Sequence, residues 1–118
     1  MSDEAFVNVN VPTFNYGGTS YNRIGVSANG YLVVGGGTTA DSTYVNQVLP
    51  NANRPNNVLA PFWTDLNPGG AGNVNGAVRG NVLSDGIDQW IVGDWNNVRN
   101  YSSAGQRHDM NIWIGLNT

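Results

Sequence analysis

Cysteine and lysine are both absent from these 118 residues. Without cysteine there is no disulfide framework, no thiolate nucleophile and no cysteine-ligated zinc site. Without lysine there is no Schiff base and no lysine-derived isopeptide crosslink. Charge of either sign is scarce, 11 % of the chain against about 25 % in ordinary soluble domains. The five basic residues, Arg23, Arg54, Arg79, Arg99 and Arg107, are scattered, and the net charge is −3. This argues against nucleic acid, whose binding rests on clustered basic side chains facing phosphates, and against an anionic membrane surface. No apolar run is long enough to cross a bilayer, so no membrane insertion is expected. MSDEAF lacks a basic n-region and an apolar h-region; it reads as the boundary of an excised domain whose export is encoded elsewhere.

Helical periodicity is missing too: no window sustains apolar residues at i, i+3, i+4 and i+7. Short β-rich runs between Gly, Asn and Pro take its place. Polarity comes from Asn, Gly, Thr and Ser, an extracellular style of surface. The length suits one domain, residues 1–118, with one hydrophobic core. The fold expected is all-β, an antiparallel β-sandwich or barrel-like domain.

FVNVNV (6–11) alternates with period two, which places Val7, Val9 and Val11 on the buried face, and Pro12 is expected to end the pairing. YNRIGVSANGYLVVG (21–35) predicts a hairpin with a type I′ turn at Asn29-Gly30 and Ile24, Val26, Leu32 and Val34 facing each other. Residues 38–57 read as irregular, with a short strand or helical turn near 43–48 and a loop over NANRPNN (51–57). VLAPFWTDL (58–66) reads as a strand broken at Pro61, followed by a flexible loop over 67–76. A second hairpin joins 77–83 to 87–95 through Ser84-Asp85-Gly86. Residues 96–108 read as a loop and 110–116 as a last strand, either at a sheet edge or followed in the natural domain by further strands. An open edge there would invite pairing with another chain.

Three motifs now stand in a fixed order: YNRIGVSANGYLVVGG, then NNVLAPFWTDLNPGG, then DQWIVGDWNNV leading to MNIWIGLNT. Over residues 12–117 they resemble the extracellular module found after the catalytic domain of some secreted bacterial subtilisin-like (S8) proteases. More distantly, they are similar to the nidogen-like (NIDO) domain, with its Asn-Gly hairpin followed by an APFW-x-D motif. The resemblance implies a β-sandwich-like module that binds or positions, in a secreted or surface protein. It brings no agreed ligand and no catalytic residues, and the catalytic motifs of a subtilase are not in this chain.

Enzymatic readings find little support. His108-Asp109 near Ser102 and Ser103 lacks the strand-turn-helix elbow of a nucleophile. No carboxylate pair stands out for glycoside hydrolysis. Neither Gly35-Gly36-Gly37 nor Gly69-Gly70 opens a helix in the way a phosphate-binding loop does. No enzyme activity and no obligatory cofactor are therefore expected. Calcium is the one metal worth weighing, at Asp65 and Asn67, although the spacing falls short of a calcium loop. A turn-stabilising role for both residues is the plainer reading. Of the four tryptophans, Trp90 and Trp113 are assigned to the core. Phe62 and Trp63 point to opposite faces. Trp95, at a strand end, is the best surface candidate. Trp95, Trp63 and Tyr101 form the candidate ligand-binding set.

The expected function is a non-catalytic extracellular binding or accessory module of a secreted multidomain protein, contacting a protein or a surface polymer. The alternative is a structural assembly unit that pairs through its C-terminal edge. A carbohydrate-binding module is the weaker alternative.

Overall fold

The computed structural model describes residues 1–70 and 76–116. Among these residues seven strands form two antiparallel sheets. The first is ordered β1 (Phe6–Tyr16), β2 (Thr19–Ser27), β3 (Tyr31–Val34), β4 (Val58–Leu59). The second is ordered β5 (Ala77–Ser84), β6 (Gln89–Arg99), β7 (Arg107–Gly115). Among the described residues there is no α-helix, only a 3-10 turn at Thr39–Asp41. Neither sheet closes on itself, so of the two expected architectures the sandwich is the one adopted.

The core lies between the sheets. Val11, Phe14, Ile24, Val26, Leu32 and Val34 meet Ile91, Trp95 and Val98, with Leu66 sealing one end. The register Ile24↔Val34 and Val26↔Leu32 places the predicted apolar set on one face. Glycine at two paired positions lets the sheets come close. A Cβ at Gly93 would stand 2.9 Å from a methyl of Leu32, and one at Gly80 would stand 3.2 Å from methyls of Val26 and Val9.

The first sheet is covered on both faces at β3, which is why all four residues of that strand are buried and why Tyr-Leu-Val-Val is an unbroken apolar run. Its far face carries Tyr31, Val33 and Trp63, with Phe6 and Val58 packed against them. The irregular segment 38–57 lies over this cluster. Tyr31 donates its hydroxyl to the carbonyl of Asp41 and accepts from Thr43 N at 2.9 Å. Trp63 Nε1 donates to Thr43 O at 2.9 Å. Thr38 caps the 3-10 turn, and Arg54 pairs with the buried Asp41 at 3.1 Å. The helical turn thus lies before 43–48, and 51–57 is a loop as expected.

Several expectations need correction. The Ala28-Asn29-Gly30 connection is a three-residue turn, closed by Ser27↔Tyr31. Only Gly30 has positive φ, +84°, so the turn is not type I′; its single left-handed residue matches the three-residue hairpin class. Pro12 interrupts pairing between Asn10 and Phe14, but β1 resumes and runs to Tyr16; β1 is an edge strand, where proline is tolerated. Val11 is buried, but Val7 is exposed; Phe6 is drawn instead onto the far face, its ring over Gly25. The segment 96–108 is not one loop, because β6 continues to Arg99 and β7 starts at Arg107. An extra residue between Trp95↔Met110 and Val98↔His108 makes a bulge, with Asn97 at φ +51°. The bulge returns Val98 to the core beside Trp95.

VLAPFWTDL is a strand only at Val58–Leu59. Beyond them the chain crosses from one sheet to the other. Phe62 N and Thr64 N donate to Gly30 O and Asn29 O, at 3.3 and 3.1 Å. Leu66 then forms a bridge to Asn100, and Asn67 N donates to Arg99 O. The crossing is held by Asn29, which is fully buried. Its Oδ1 accepts from Leu66 N at 3.0 Å, and its Nδ2 donates to Glu4 Oε1 at 3.1 Å. Removing this amide strands a buried N–H, which costs about 1–3 kcal/mol per group. Asn29→Ala is expected to lower unfolding free energy by about 2–3 kcal/mol, read as an earlier denaturant midpoint at unchanged slope.

Candidate functional site

The predicted ligand-binding tryptophan turns out to be the largest fully buried side chain. Trp95 is 0 % exposed, and its Nε1 donates to Ser27 O across the core at 2.9 Å. Trp63 is buried as well, while its neighbour Phe62 faces out, so the opposite-faces expectation holds with tryptophan inside. Trp113, assigned to the core from sequence, is 52 % exposed. The signal that separates these residues is parity. Trp95 shares the face of Ile91 and Gly93, whereas in Met-Asn-Ile-Trp-Ile-Gly-Leu the apolar positions 110, 112, 114 and 116 form one face and Trp113 falls on the other.

Two surfaces collect the chemistry. The first is the corner around Asp65, lined also by Asp3, Glu4, Tyr44 and Tyr101. Tyr101, a predicted ligand residue, is exposed there, and its backbone N–H donates to Asp65 O at 2.9 Å. One carboxylate oxygen each from Asp3, Glu4 and Asp65 lies within 4.8 Å of the others. Burial first, and the nearby Asp3 charge second, push the Asp65 carboxyl above its usual range. Asn67, paired with Asp65 in the sequence reading, faces its own loop, where its Oδ1 accepts from Gly69 N at 3.1 Å.

The second surface is the outer face of the second sheet. Alternation puts Arg79, Asn81 and Leu83 of β5, Val92 and Asp94 of β6, and Asn111 and Trp113 of β7 around one groove of about 340 Å³. Val92 is its buried floor. Register sets Asn81, Val92 and Trp113 in one cross-strand row, and Arg79, Asp94 and Asn111 in the next. Arg79 and Asp94 pair at 3.1 Å. The Trp113 indole N–H donates to Asn111 Oδ1 at 3.1 Å. Trp90 meets Trp113 edge-on, with ring centroids 5.9 Å apart, a favoured aromatic geometry.

His108, the residue on which a hydrolase reading rested, has its Nε2 2.7 Å from Asn100 Oδ1 and its ring against Phe62. The side chain is therefore engaged with an amide and an aromatic ring.

The raised Asp65 pKa has a definite sign. The folded state holds the proton more tightly than the unfolded chain, so this group's contribution declines as pH rises from about 4 through its folded value. Asp65→Asn is expected to flatten that decline, gaining stability relative to wild type as pH moves from acidic to neutral, measured by denaturant melts across pH.

No match was found among curated proteins or among solved structures. The NIDO-related family model matches residues 2–116. That family is of a non-enzymatic, accessory-domain type, and NIDO-type domains are typically extracellular. No helix among the described residues is long and apolar enough to cross a membrane. A match of nearly the whole chain, which spans the Asn29-Gly30 turn and the APFW-x-D crossing that packs on it, makes this chain a member of the NIDO-related (nidogen-related) family.

Proposed function

We propose that residues 1–118 act as one extracellular, non-catalytic contact module of a secreted multidomain protein, such as one carrying a subtilisin-like protease, and that the module docks on a protein or surface polymer through the outer face of its second sheet. One asymmetry supports this. On the outer face of the second sheet the exposed Trp113 and Leu83 stand on hydrogen-bonded strands around one groove, whereas the exposed Tyr44, Val45, Val48 and Leu49 over the first sheet lie on irregular chain. Exposed apolar side chains gathered on one face mark interaction surfaces. Tyr101 at the Asp65 corner is a secondary contact.

The runner-up, an assembly unit, is favoured by β7, which among the described residues has a neighbouring strand on one side only. A single experiment addresses both. The labelled domain is applied to cell-surface material from its source, untreated, protease-treated or periodate-treated, with light scattering over a concentration series alongside. Saturable retention of a monomer, reduced at least tenfold by Trp113→Ala, is expected. No retention overturns the module reading, and concentration-dependent growth in mass supports the assembly unit.

Calcium remains a proposal for the Asp65 corner, with Asp3 and Glu4 supplying the neighbouring oxygens in place of Asn67. Three single ligands fall well below the six to eight oxygens calcium takes, so chain carbonyls and water would complete the shell. Binding would relieve the repulsion between Asp3 and Asp65. The expected signature is a thermal midpoint raised by calcium and restored by EDTA, lost in Asp65→Asn; no shift removes the metal.

A further inference from the structure

We infer that the groove on the outer face of β5–β6–β7 is a saccharide-binding site for a neutral pyranose chain, a reading that rests on the contact module proposed above and gives it a ligand class. The lining decides the chemistry. A protein-docking patch concentrates its energy in a dry apolar centre with a polar rim. Here the one buried apolar residue is the floor, Val92, and Arg79, Asn81, Asp94 and Asn111 line the groove together with the exposed indole of Trp113.

Those polar groups are of one kind. A guanidinium, a carboxylate and two primary amides are planar hydrogen-bonding groups; the amide oxygens of Asn81 and Asn111 already accept from Val82 N and the Trp113 indole, so these two offer their N–H donors. Neighbouring hydroxyls on a sugar ring are donor and acceptor at once, and bidentate planar groups match them. The cation and anion in the groove neutralise each other, Arg79 against Asp94 at 3.1 Å. That leaves no net charge in the lining for an acidic or basic ligand to oppose, and so favours a neutral one. The C–H face of a pyranose ring is apolar, and an indole face is the usual partner for such a surface in water.

Position supports the same conclusion. The lining residues stand on paired strands, so their spacing is fixed by the ladder. Trp113 is further held, by its hydrogen bond to Asn111 and its T-shaped contact with Trp90. Asn111 and Trp90 are thus positioning residues for Trp113. A pre-formed site loses little conformational entropy on binding. The volume, about 340 Å³, lies at the small end of ligand sites, which run from about 300 to 1,000 Å³. It suits one or two ring units of a chain that continues beyond the groove.

The test is a neutral glycan array followed by calorimetric and tryptophan-fluorescence titration of the purified domain with gluco-, manno-, xylo- and N-acetylglucosamine hexasaccharides. Saturable binding to at least one is expected. Trp113→Ala should weaken it at least tenfold, Trp113→Phe should restore part of it, and Val48→Ala, in the exposed segment over the first sheet, should leave it unchanged. Asn111→Ala should weaken binding severalfold and reduce the far-UV exciton couplet of the Trp90–Trp113 pair, with its thermal midpoint close to wild type. If no neutral glycan on the array binds, or if Trp113→Ala binds as wild type while folded by thermal melt, the inference fails. Retention on cell-surface material that survives periodate and is lost to protease would overturn the saccharide and leave the contact module standing.

Discussion

The sandwich depends on one buried amide. Asn29 sits in a turn, where an asparagine would ordinarily be solvated, yet it is fully enclosed. It satisfies its carbonyl with the backbone of Leu66 and its amino group with Glu4. A buried polar group is tolerable only when it is paired, so the position of Asn29 dictates where residues 62–66 must run. Gly30 completes the constraint: a Cβ there would run into the Phe62 carbonyl. The hairpin turn and the APFW-x-D segment are therefore one unit, although they are distant in sequence. Leu66 is fully buried at the core's end because Asn29 holds its N–H.

From that crossing follows the unequal dressing of the two sheets. The chain that leaves β3 must travel back to reach the Asn29 turn, and on the way it covers the far face of the first sheet. Tyr31, Val33 and Trp63 are dry as a result. After Leu66 the chain contributes to the second sheet itself, and the outer side of β5–β6–β7 keeps its exposed residues. A fold that spends one loop on one face leaves the other face for contact.

How much of this was legible depended on period and on distance. Ile24, Val26, Leu32 and Val34 were readable because alternation in a hairpin needs only neighbouring residues. The all-β class was readable for the same reason. The extent of β6 was not. Asn96-Asn97-Val98-Arg99-Asn100 has the composition of a loop, yet Asn97 takes the left-handed conformation that a bulge needs, and pairing continues past it. VLAPFWTDL was legible as important but not as what it is. Its apolar content reads as a strand, whereas its hydrogen bonds go to a turn about thirty residues back. Asp65 was flagged without Asp3 and Glu4, because contacts between chain ends and loops leave no local pattern.

The exchange of roles between Trp95 and Trp113 shows why the groove is more than a surface accident. Trp113 is flanked by Ile112 and Ile114, and Val92 by Ile91 and Gly93, all packed on or facing the inter-sheet core. Trp113 and Val92 are thus fixed from both sides by neighbours that cannot move without disturbing the core. Loops could present the same side chains, but they would have to be ordered on binding. A sheet presents them already ordered. The cost is paid once, in folding, by the same apolar residues that hold the sandwich together. What suits this face to binding is therefore less the exposure of Trp113 than the packing of Ile112 and Ile114 against the core on either side of it.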